Sequence, residues 1–222
     1  MESHNEELAK EKYDGILSKI EKKFVYRAVP FVPKWCETYH LTLMTIIWSL
    51  LMLFGWYVWY YTWNSNRGWV SIALLVVQKI TDLLDWSVGR ARDTWLVKRW
   101  FYMDHILDFI FMISLFVSIF LISPIASYIR IWLLFGAALV WFLHVFVFHS
   151  ACGKLEIAKD WLWPTEMMFI LIGLLISIMY LPNIAYWFVL PLISIMSVFM
   201  VIRLIYISQG QLRDLDMKNK WK

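Results

Sequence analysis

Long apolar runs constrain this chain more than any other feature. A helix needs about 20 mainly apolar residues to cross the hydrocarbon core of a bilayer. Six stretches approach that length: Leu41 to Tyr61, Trp69 to about Leu84, Asp104 to Ser123–Pro124, Arg130 to Phe148, Pro164 to Tyr180 and Tyr186 to Ile207. Apolar residues make up 61% of the 222 and charged ones 17%, against roughly 45–50% apolar in an ordinary soluble domain. Disorder is thereby excluded, and an all-α polytopic membrane protein with six transmembrane helices is expected in preference to a small soluble enzyme. The net charge of +4 is too small to imply nucleic acid as a partner. Cys36 and Cys152 each adjoin a span boundary, which argues against a disulfide framework. The charged first 23 residues hold no apolar stretch, so no cleavable signal peptide is expected.

Basic residues set the orientation. Arg90, Arg92, Lys98 and Arg99 follow the second span, Lys154 and Lys159 follow the fourth, and Arg213, Lys218, Lys220 and Lys222 follow the sixth. The alternate connections are almost uncharged, so the positive-inside rule puts both termini and the basic loops in the cytosol. Residues 20–35 mix apolar and basic positions as an interfacial amphipathic helix does. Pro30 and Pro33 should end that helix near Val29. The organisation expected is therefore an N-terminal extension with an interfacial helix (1–35), a six-helix transmembrane domain (36–210) and a basic tail (211–222). Trp56, Trp59, Trp63 and Trp69 fall where an aromatic belt would lie on the far side.

Acids are scarce in the membrane region, and four of them are Asp82, Asp85, Asp104 and Asp108. Spacings of three and four put each pair on one helix face, and consecutive helices joined by a short loop can bring the pairs together. Converging carboxylates repel unless a cation lies among them. Hard divalent ions such as Mg²⁺ or Mn²⁺ suit oxygen ligands; no cysteine or compact histidine cluster favours zinc. A metal at a cytosolic helix end, reachable by a soluble diphosphate and by a lipid from the bilayer, suits phosphoryl transfer.

The run Asp82-Leu-Leu-Asp85-Trp86-Ser-Val-Gly89-Arg90, then Asp104-His105-Ile-Leu-Asp108, resembles the CDP-alcohol phosphotransferase signature D-x-x-D-G-x-x-A-R…G-x-x-x-D-x-x-x-D. The resemblance implies a six-helix, commonly dimeric enzyme that uses Mg²⁺ or Mn²⁺ to move a phosphoalcohol from a CDP-linked donor to an acceptor alcohol, releasing CMP. It implies Asp82, Asp85 and Asp104 as metal ligands, Asp108 as base and further metal contact, and Arg90 as a donor contact. Trp86 stands in place of the first signature glycine, Gly89 in place of the alanine and Trp100 in place of the second glycine. A tryptophan at that position either fills part of the cytidine pocket or stacks on a ring.

The Asp104-His105 pair, Gly153-Lys154-Leu155 and Pro164-Thr-Glu166 are similar to the choline and ethanolamine members of that family. This implies phosphoethanolamine or phosphocholine transfer to a lipid hydroxyl such as diacylglycerol. His105 and Glu166 become candidates to assist Asp108, and Lys154 a candidate phosphate contact. A rival within the family uses CDP-diacylglycerol and a small soluble alcohol. An inactive homologue is a further alternative, and a prenyltransferase and a cation transporter are the readings outside the family.

Overall fold

The computed structural model describes residues 18–62, 68–92, 97–152 and 164–220, and every regular element among them is helical. Helix α1 (Ser18–Ala28) gives way to a 3₁₀ turn over Val29–Phe31. The break comes where Pro30 removes a backbone donor, one residue from the expected place. Helices α2 (Thr38–Thr62), α3 (Gly68–Arg92), α4 (Val97–Ile122), α5 (Tyr128–Cys152), α6 (Pro164–Tyr180) and α7 (Leu190–Lys220) follow. A π-helical segment, Ala185–Val189, leads into α7.

Among the described residues, four segments are long and apolar enough to cross a membrane: Thr38–Val58, Tyr102–Ile122, Ile125–Phe148 and Pro182–Met217. Helix α6 is apolar but has 17 residues. Helix α3 has the length, at 25 residues, but carries Lys79, Asp82 and Asp85 within its body. Helices α3 and α4 also run further than expected, α3 on to Arg92 and α4 back to Val97. Hydropathy registers only the apolar part of a helix, whereas the hydrogen-bonded backbone continues into a charged sequence. The acids therefore lie within the helices and not at their ends. Asp82 comes 14 residues after Gly68, and Asp108 14 residues before Ile122, so both sit about 21 Å along their helices from the same face of the bundle.

Helix α2 packs along both α3 and α4, α5 packs along α7, and α6 meets α3. The most buried side chains include Met52 and Trp56 of α2, Leu115 and Ile119 of α4, and Leu174 and Leu175 of α6. Trp56, expected in an interfacial belt, is 2% exposed and belongs to this core; its place on α2 turns it towards the neighbouring helices. Trp69, 47% exposed, keeps a surface position and donates its indole N–H to the Tyr180 hydroxyl at 3.0 Å. A methyl group on Gly68 would meet Met179 Sδ at 2.6 Å, so α3 and α6 approach closely there. Arg130 donates to the Tyr186 carbonyl at 3.0 Å and lies over the Trp187 ring, fastening α5 to the π-helical segment.

At the other end, Arg92 holds the chain between α1 and α2. Its guanidinium donates to the carbonyls of Cys36 (2.6 Å), Val32 (2.8 Å) and Pro33 (3.2 Å). Positive-inside topology alone accounts for an arginine at this position, yet its fork satisfies three carbonyls of a proline-interrupted turn. Replacing Arg92 by Ala should cost roughly 1.5–3 kcal/mol of local stability, because charged hydrogen bonds are lost. Trypsin should then cut after Lys34 at least ~10-fold faster in detergent, where brief opening controls cleavage. Lysine should not restore protection, since one ammonium lacks the planar fork.

Candidate metal centre

Helices α3 and α4 each pack along α2 and touch one another little directly, and the acids they carry meet across the space between them. Carboxylate oxygens of Asp82, Asp104 and Asp108 lie within 4.8 Å of one another. Asp104 is 4% exposed, so the cluster is not a set of solvated helix-end acids. Asp85 lies three residues from Asp82, which turns it about 60° around α3. It is 1% exposed, and its Oδ2 accepts from the Thr42 hydroxyl of α2 at 3.1 Å. Asp85 Oδ1 is buried with no hydrogen-bond partner.

Each of the four carboxylates accepts from a protein donor. Gln78 Nε2 donates to Asp108 Oδ1 at 2.8 Å, and Lys79 Nζ to Asp82 Oδ2 at 2.8 Å. Trp86 Nε1 donates to Asp104 Oδ2 at 3.0 Å, with His105 Nδ1 3.5 Å from the same oxygen. Donors of this kind fix the direction of a ligand carboxylate and tune its affinity. Three of them, Gln78, Trp86 and Thr42, are neutral, so they orient the acids without neutralising them. An orphaned buried oxygen, three clustered carboxylates and an all-oxygen donor set fit a hard divalent cation, held by Asp82, Asp104 and Asp108 with Asp85 adjacent.

The cluster stands at the polar end of a cavity of about 1140 Å³, larger than most sites for small molecules. From Asp108 the cavity continues past Phe111 and Leu115 of α4 to Leu134 of α5 and Ile193 of α7. It occupies the gap left where α4 and α5 touch over little of their length. Glu21, Val25 and Val29 of the α1 region border its polar end. An amphiphile can thus place its head beside the acids and its chain in the apolar part.

The expected site residues divide clearly. Asp82, Asp104, Asp108, Trp86, His105 and Arg90 all border the cavity. His105 meets Phe146 edge-on, with ring centroids 5.4 Å apart. Trp86 is the unexpected member: its ring forms part of the wall, as a filled glycine position would, but its N–H holds a candidate metal ligand. Gly89 is buried in α3 and is not on the cavity wall among the described residues. Glu166 occupies the first turn of α6; its neighbours Met167 and Met168 border the cavity, and Glu166 does not. Lys154 lies outside the described residues.

Gln78, Lys79, Thr42 and Glu21 were not anticipated. Gln78 and Lys79 had a readable signal: they are adjacent polar residues in an apolar stretch, one helical turn before Asp82. Thr42 is one of several hydroxyls on α2, and only the packing of α2 on α3 singles it out. A scan against protein-family models and a search of curated proteins found no match to this chain.

The indole bond gives a direct test. Trp86→Phe keeps most of the ring volume and removes the donor to Asp104. Mn²⁺ affinity, followed by electron paramagnetic resonance of the free ion, should fall about 10-fold or more, as with other outer-shell partners.

Proposed function

We propose that this protein is a six-span CDP-alcohol phosphotransferase, closest in motif to the choline and ethanolamine enzymes, with its acidic cluster and both termini on the cytosolic side. The observation that carries the reading is the clustered acids at the head of a large amphiphilic cavity among apolar helices. The match of Asp82, Asp85, Arg90, Asp104 and Asp108 to the family signature supports it. The basic residues clustered after Leu84 support the orientation.

Asp82, Asp85, Asp104 and Asp108 form the candidate set to hold Mg²⁺ or Mn²⁺. When bound, such an ion supplies charge neutralisation at the donor diphosphate and its leaving oxygen. The protein's residues supply orientation and proton transfer. Arg90, exposed on the cavity border, meets the anionic donor, while the apolar cavity holds the lipid acceptor with its hydroxyl towards the acids. Asp108, held through Oδ1 by Gln78, removes the hydroxyl proton. The lipid oxygen then bonds to the phosphorus distal to cytidine, and the bridging P–O bond breaks with its electron pair leaving on CMP. His105, between Asp104 and Phe146, is the candidate to assist Asp108. Glu166 and Lys154 have supporting roles from the resemblance alone. A homodimer is expected on the same ground.

Purified protein in Mn²⁺ should release CMP from CDP-ethanolamine or CDP-choline when diacylglycerol is present. Release from CDP-diacylglycerol with inositol, serine or glycerol phosphate would assign the other subclass. No release from any donor by folded protein would leave an inactive homologue. Asp108→Asn should remain folded and retain an oxygen for Gln78 while turnover falls by about 10²–10⁴. Near-normal transfer by that variant would reject Asp108 as the base.

A further inference from the structure

Lys79 lies inside the acidic cluster. Its Nζ is 2.8 Å from Asp82 Oδ2, and the two side chains are 15% and 16% exposed. Asp108 and Glu21 add their negative charge around it. Gln78, Trp86 and Thr42, which also donate to these acids from α3 and α2, carry no charge, so among these four donors it is Lys79 that offsets the repulsion. Resting on the reading of the cluster as a metal centre, we infer that Lys79 is a resident counter-ion that a divalent metal must displace from Asp82.

The physical reason is competition for one carboxylate. An ammonium and a divalent ion beside the same oxygen pair repel, the more so where both are mostly screened from solvent by protein, as Lys79 and Asp82 are. Lysine is suited to yield: its charge sits on a flexible four-carbon stem, unlike the rigid fork of arginine. Lys79 also borders the cavity, so the displaced ammonium has space. Spacing supports the pairing, because Lys79 and Asp82 lie three apart on α3 and share a face. The bundle would then hold its acids together without metal, at the expense of weaker metal binding. The displaced ammonium would remain on the wall of a chamber that admits anionic phosphate groups.

Mn²⁺ binding to the full chain in detergent, without donor or acceptor, tests this. Lys79→Met and Lys79→Gln should each bind Mn²⁺ about 5-fold or more tightly than wild type, because the competing charge is gone. In EDTA, Lys79→Met should unfold at a lower temperature than wild type, and Mn²⁺ should remove the difference. If Lys79→Met yields too little folded protein, Lys79→Gln, which keeps a donor for Asp82, carries the affinity measurement. Unchanged or weaker Mn²⁺ binding in the folded variants overturns the inference while leaving the metal centre intact. Absence of Mn²⁺ binding in wild type and variants alike would remove the metal centre itself, and the inference with it.

Discussion

Negative charge buried among helices has to be answered locally, and this requirement organises the protein. Asp85 and Asp104 are almost wholly buried, and Asp82 and Asp108 share their surroundings. An unpaired carboxylate at such a depth costs several kcal/mol. Helix α2 makes the arrangement possible by packing along α3 and α4 together, which sets the two acidic stripes face to face. It also contributes the Thr42 hydroxyl to the most buried of the acids. Three further donors come from α3 itself: Gln78 and Lys79 lie four and three residues before Asp82, and Trp86 lies four after it.

Much of the architecture was legible because bilayer chemistry leaves few solutions. Apolar length identifies α2, α4, α5 and α7 directly, and paired prolines locate the end of α1. Helix α3 runs past its apolar part because its second half is charged, and hydrogen bonding does not stop where hydropathy does. The acids therefore lie inside the helices, while Asp104 stays near the start of the apolar stretch Tyr102–Ile122. Trp56 illustrates a related limit: composition puts tryptophan at interfaces, but rotation about the helix axis decides whether it meets lipid or neighbour.

The candidate site divides along the same line. Spacing alone identifies Asp82, Asp104 and Asp108, because acids are rare in this environment. Spacing does not separate Asp85, whose small angular offset turns it towards Thr42 and away from the closest group. Cross-helix partners such as Gln78 with Asp108 depend on axial register between α3 and α4, which no local pattern encodes. Trp86 is the most instructive case. A bulky residue beside the acids reads as an obstruction, but its indole N–H donates to Asp104 Oδ2 and orients that carboxylate.

Helix α3 is secured at both extremities, by Trp69 and Gly68 against α6 and by the Arg92 fork on the Val32–Cys36 turn. A rod clamped at two points cannot rotate freely about its axis, so the stripe of donors and acids on it acts as a fixed template. The wall of the cavity that faces this template is built largely by α5 and α7, which pack along each other.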